Sequence, residues 1–234
     1  MPNLPELSAR AGKLVLVAVD KAVEARWEPA RRNAAATTGT TAERVAQLRR
    51  TFARELATVG AATGGIAAVP AAGTGTALAT GVAEISWFTA RSADLILAIA
   101  AVHGHTEPSV EERRLWLLSV LAFGDGAATT VTRLAGEMGK GLGKKATARI
   151  SAETLRSINR AIGRTILTKY GTKRGVIALG TALPFGIGAA IGGGANYALT
   201  RGIARHADSF FRALPQAFID VDLSEGPATG PSIA

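Results

Sequence analysis

Apolar positions recur at intervals of three and four along most of the chain, and no stretch alternates as a half-buried strand would, so the expected fold is all-α. Leu14, Val15, Ala18, Val23 and Trp27 fall within a helical stretch over 7–27, which Pro29 is expected to stop. Residues 33–41 are small and polar and read as a loop, with Thr40 or Thr41 capping the next helix. From there Val45, Leu48, Phe52, Leu56 and Val59 mark an amphipathic helix. A third helical stretch over 84–102 carries Ile85, Phe88, Leu95, Ile96 and Ile99. A turn over 103–108 precedes Ser109, an N-cap followed by Glu111 and Glu112, where the positive end of the helix dipole favours acids.

Residues 124–143 are punctuated by glycine, and 139–145 at their end predict a flexible basic connection. The clearest helix lies over 151–170. At 100° per residue Leu155, Ile158, Ile162 and Ile166 form one narrow stripe, and Arg156, Arg160 and Arg164 run along its flank. Such a helix either faces a core with a solvated basic side or lies on a membrane surface. A closing helix over 201–218 and a disordered tail over 222–234 complete the expected elements.

Two segments break the pattern because they carry no charge: 28 residues over 56–83, with Pro70 and six glycines, and 26 over 175–200, with Pro184 and seven glycines. The apolar side chains of the second, Leu183, Phe185, Ile187 and Ile191 among them, contribute about −2 to −5 kcal/mol on an insertion scale, before Gly, Pro and Asn subtract from it. The first, with Ile66 and Val69 beside Pro70, contributes less. Pro70 divides it into pieces of about 20 Å if helical, short of the roughly 30 Å hydrocarbon core. Both segments therefore predict Gly/Pro-broken helical hairpins, which either dip into lipid and return or pack as a close interior through their small residues.

The net charge of +9 is not spread along the chain. Residues 140–174 hold ten bases (Lys140, Lys144, Lys145, Arg149, Arg156, Arg160, Arg164, Lys169, Lys173, Arg174) and one acid, Glu153, leaving 17 bases and 17 acids elsewhere. This block directly precedes the second uncharged segment, and Arg44, Arg49, Arg50 and Arg54 precede the first, so both flanks are expected on a cytoplasmic face. An anionic membrane is the partner this arrangement favours. Nucleic acid is disfavoured, because the block contains one aromatic, Tyr170, and no reader motif. The absence of cysteine excludes disulfides, thiolate metal sites and a cysteine nucleophile. The N-terminus lacks a basic region followed by an apolar run, and the chain reads as unexported.

Candidate chemistry is sparse. Gly139-Lys140 and Gly143-Lys144 fail as phosphate loops, because Leu134 and Met138 stand where the first glycine is needed. His103-Gly104-His105 with Glu107 would ligate a metal only if the three converged; a pair around glycine in a turn reads as solvent-exposed. Glu84, Arg91 and Asp94 read as a surface or half-buried ion pair, and Asn196 as a hydrogen bond between packed helices. No catalytic constellation, metal set or cofactor motif is legible, so the expected protein is not an enzyme.

Several of these residues carry a family resemblance. Leu155-Arg156-Ser157-Ile158-Asn159-Arg160-Ala161-Ile162-Gly163, then Ala182-Leu183-Pro184-Phe185-Gly186-Ile187-Gly188 running on through Ile191-Gly192-Gly193-Gly194-Ala195-Asn196-Tyr197, and the helix after Arg201 resemble the EcsC family of bacterial proteins. Ala101-Val102-His103-Gly104-His105 and Glu112-Arg113-Arg114-Leu115 add weaker support, and the likeness spans about 48–214. The resemblance implies a helical, membrane-associated protein of a group named for a gene product encoded beside an ABC transporter. It makes a membrane protein such as a transporter a second expected partner, and it carries no catalytic residue. The expected organisation is an N-terminal helix and loop over 1–40, a helical domain over 41–220 and a tail over 221–234. The expected role is docking on, or dipping into, the inner face of an anionic membrane; the alternative is a soluble helical carrier of a lipid or other apolar ligand.

Overall fold

A computed structural model of the chain describes residues 4–67, 74–138, 152–170 and 189–214. They form α1 (Leu4–Ala25), α2 (Trp27–Ala35), α3 (Thr41–Ala67), α4 (Thr74–Val102), α5 (Val110–Phe123), a 3-10 turn (Gly124–Gly126), α6 (Ala127–Met138), α7 (Ala152–Tyr170) and α8 (Ala189–Ala213). No strand occurs among the described residues, and the fold is all-α.

Local chemistry sets the helix boundaries. Thr40 caps α3: its backbone N–H donates to Glu43 Oε2 at 2.8 Å, and the Glu43 N–H donates to its hydroxyl at 3.3 Å. Gly39 precedes the cap at φ +99°, a left-handed conformation that favours glycine, and a Cβ there would lie 2.5 Å from Glu43 Oε2. Ser109 caps α5 in the same way, exchanging bonds with Glu112 of 2.6 and 3.2 Å. The first helical stretch stops at Ala25, just ahead of Pro29. Pro29 itself occupies the first turn of α2, where a backbone N–H would have no partner within the helix, and the helix runs on to Ala35. Glycine is overridden in two places. The glycine-punctuated stretch after Gly124 is helical as α6 up to Met138, the connection expected over 139–145 lies outside the described residues, and the helix expected from 201 begins at Ala189, so its Gly-Gly-Gly run is helical.

The centre of the bundle is α4 and α5, whose residues 93–100 and 115–120 are buried on every side of the helix. Helices α1 and α2 pack on α4, and α1 also meets α5 and α7. Val19, Val23, Trp27 and Ala30 therefore enter the same core as Phe52, Leu95, Trp116 and Phe210. The most extensive helix pair is α3 with α8. A Cβ at Gly193 would stand 3.1 Å from the Ala57 carbonyl oxygen and 3.3 Å from the Ala61 Cβ, so the pair approaches as closely as glycine allows. Asn196 fastens it by donating from Nδ2 to the Leu56 carbonyl at 3.3 Å, the interhelical bond expected of it. The first uncharged segment is thus no pair of separate short helices. Its arms are continuous with α3 and α4, which pack on one another, while 68–73 lies outside the described residues.

Candidate functional site

On α7 the apolar stripe and the basic flank separate as the periodicity predicts. Leu155, Ile158, Ile162 and Ile166 are at most 1% exposed, packed towards α1, α5 and α6, whereas Arg156, Arg160 and Arg164 are exposed. Because the stripe is buried in the protein, α7 offers its surroundings a row of guanidinium groups and no apolar face. Lys169 lies in the same helix and Ile66 and Ile191 lie in α3 and α8, but their side chains are outside the description. Lys140, Lys144, Lys145, Arg149, Lys173 and Arg174 lie outside the described residues, as do Val69, Pro70, Leu183, Pro184, Phe185 and Ile187.

Beside the arginine row a surface cavity of about 260 Å³ opens between α1, α5 and α7. Its charged wall combines Asp20 from α1, Glu111 and Arg114 from α5, and Arg156 and Arg160 from α7. Arg114 donates from Nε to Asp20 Oδ1 at 3.0 Å and stands 3.7 Å from Glu111 Oε1. Asn159, 4% exposed, donates from Nδ2 to the Glu111 carbonyl at 2.9 Å and to its Oε2 at 2.7 Å. Its Oδ1 is buried and accepts from no group among the described residues. Asn159 and Glu111 both belong to motifs legible in the sequence, but only the tertiary approach of α1, α5 and α7 brings Asp20 to them. No local spacing announced that convergence.

The other candidates resolve into structural roles. Asp94 is 0% exposed and joins Arg26 of the α1–α2 junction to Arg91 of its own helix, which in turn pairs with Glu55. Arg91 also stands 4.7 Å above the Phe52 ring. The hydrogen bond from Arg26 to Asp94 raises the guanidinium pKa, burial opposing it and the charge of Asp94 adding to it. Arg113 is shifted the other way, lowered first by burial against the attraction of Glu112 and Glu24. His103 and His105 are not the exposed pair that their turn suggested. His103 Nε2 lies 3.0 Å from Asp208 Oδ1, and the His105 ring packs 4.7 Å from Trp116 and 5.4 Å from Phe211, while Glu107 is exposed. Among the described residues no three His, Asp or Glu side chains converge as a metal set.

Residues 10–213 match the family model described as the EcsC protein family, and the chain belongs to that family. The match begins well before the resemblance legible by eye, in keeping with α1 and α2 sharing the core. Neither a curated protein nor a solved structure matches the chain.

Proposed function

We propose that this EcsC-family chain docks, without catalysing a reaction, on the cytoplasmic face of an anionic membrane. The arginine row of α7 and the basic block around it meet the headgroups, and the uncharged segments around Pro70 and Pro184 supply apolar contact. The observation that carries the reading is the exposure of Arg156, Arg160 and Arg164 in one row on a helix whose apolar stripe is fully buried. Charges held on a packed helix lose little further freedom on docking, and each contributes about 1 kcal/mol near an anionic surface. The run Val110–Glu137 is also long and apolar enough to cross a membrane by length and composition, but 50% of its window is buried inside the protein and α5 serves as a core helix.

Co-sedimentation with vesicles of phosphatidylglycerol and of phosphatidylcholine across a salt series tests the proposal. Binding is expected only with the anionic lipid, weakening as salt rises. The triple variant Arg156→Ala, Arg160→Ala, Arg164→Ala should bind on the order of 100-fold more weakly. Equal binding to neutral vesicles, or none to either, sinks the reading. Membrane fractionation with a carbonate wash separates it from the carrier alternative, which predicts a ligand-loaded chain recovered without membranes.

A further inference from the structure

We infer that the cavity between α1, α5 and α7 is a binding site for a phosphate ester that also carries a hydroxyl or ammonium group. Arg156 and Arg160 stand one helical turn apart on its rim, and neither pairs with an acid among the described residues. Arg160 donates once, from Nη2 to Ser157 Oγ at 2.9 Å, which leaves most of its fork unused. Two guanidinium forks at this spacing match the oxygens of one phosphate.

The lining also carries acids. Asp20 and Glu111 are held in place by Arg114 and Asn159, so three guanidinium groups face two carboxylates around one cavity. An inorganic anion would use only half of that surface. A ligand with an anionic end and a donor end uses both.

Gly163 is the independent sign that the space is meant to be open. It lies one turn beyond Asn159 and Arg160, in the interior of α7, where glycine weakens a helix. Yet nothing stands within 4 Å of the Cβ it lacks, so no neighbouring helix requires glycine there. Instead Gly163 lines the cavity, and the space a side chain would take there is open. The volume of about 260 Å³ lies below that of pockets for drug-sized ligands and suits a molecule of headgroup size. The chemistry is shared by a soluble glycerophosphate and by the headgroup of a phospholipid.

The site stands whether or not the chain docks on membranes, and two variants keep the questions apart. Gly163→Leu fills the cavity without altering charge, so it should weaken ligand binding and leave the salt dependence of vesicle docking, which the arginine row carries, intact. Arg164→Ala, outside the cavity lining, should weaken vesicle docking and leave ligand binding unchanged. Titration calorimetry of the full chain with sn-glycerol 3-phosphate, with dihexanoyl phosphatidylglycerol below its micelle concentration, and with inorganic phosphate provides the readout. Saturable binding of one or both esters, at least tenfold tighter than inorganic phosphate, is expected. Tighter binding of the dihexanoyl lipid identifies a headgroup site, and equal or tighter binding of the glycerophosphate identifies a soluble ester. Gly163→Leu and the Arg156→Ala, Arg160→Ala pair should each weaken it at least tenfold, with Gly163→Ala as the milder cavity-filling variant and circular dichroism confirming the helical fold. Absence of saturable binding to either ester, or isotherms unchanged in all three variants, overturns the inference.

Discussion

Asp94 is the residue on which the chain's charges are most exposed to error. Its carboxylate is inaccessible, and its two guanidinium partners come from different parts of the chain, Arg26 from 68 residues earlier and Arg91 from the preceding turn. Removing it leaves two arginines drawn towards a site with no counter-charge, the situation in which breaking a buried pair costs about 3–5 kcal/mol. Because Arg26 keeps 31% of its side chain exposed and can turn to water, the lower end applies, and urea unfolding of Asp94→Ala should show a loss of about 3 kcal/mol. Sequence spacing placed Asp94 beside Arg91 but not Arg26, since helix periodicity reports neighbours within one helix and is silent about a partner on another. A second prediction concerns Glu43. The Thr40 backbone N–H, and after it the Thr40 hydroxyl, hold the carboxyl below its ordinary pKa of 4.5. A depressed folded pKa means that the cap's contribution is present above the ordinary value and is lost as pH falls through the lowered one. A carbon-13 titration of the Glu43 carboxyl should therefore have its midpoint below 4.5, and Thr40→Ala should move it only part of the way back, because the backbone bond remains.

At the scale of elements, what was legible and what was not divide along one physical line. The limits and stripe of α7, the Ser109 cap and the turn after Val102 could be read because local pattern and tertiary role agree there. Gly136 and the glycines of 192–194 misled because glycine is unfavourable in a helix interior on average, a cost that the packing of α6 and α8 on their neighbours outweighs. Gly193 is repaid by the close approach of α3 and α8. The neighbouring glycines make that a measurable contrast. At Gly193 the Ala57 carbonyl oxygen is 3.1 Å from where a Cβ would be and belongs to backbone that cannot step aside; at Gly194 nothing lies within 4 Å. Gly194→Ala should raise stability by up to about 1 kcal/mol through helix propensity alone. Gly193→Val, which must force the pair apart, should lower it by about 1–3 kcal/mol. Thermal unfolding of the two variants side by side reads the difference. Similar shifts would mean that the α3–α8 contact does not depend on glycine.

For the whole molecule the question is whether it would meet a membrane closed or opened. Opening α5 away from its neighbours would expose Leu115, Trp116, Leu117, Leu118 and Val120, at about 1.5–3 kcal/mol each, before lipid covered any of it again. The arginine row of α7 offers about 3 kcal/mol in return and all ten bases of 140–174 together about 10, against about 7.5–15 for these five side chains alone, so the attraction has no surplus with which to unpack the bundle. A helix of 14 residues, about 21 Å long, is also short of the roughly 30 Å hydrocarbon core, so α5 on its own gains no full crossing by leaving the bundle. The arginine row and the core are thus separate devices, one on the surface of α7 and one beneath it. The molecule should accordingly dock as a closed body. Trp27 and Trp116 are 8% and 0% exposed and Trp87 packs against the same core, so the three tryptophans together report on its integrity. On binding phosphatidylglycerol vesicles, the tryptophan emission maximum and the far-UV circular dichroism should stay where they are in solution, even at saturation. A free amphipathic segment folding on lipid would gain helical signal, and an opening bundle would shift the emission. Either change would show that the apolar stripe of α7, or the core it closes, is released to the membrane.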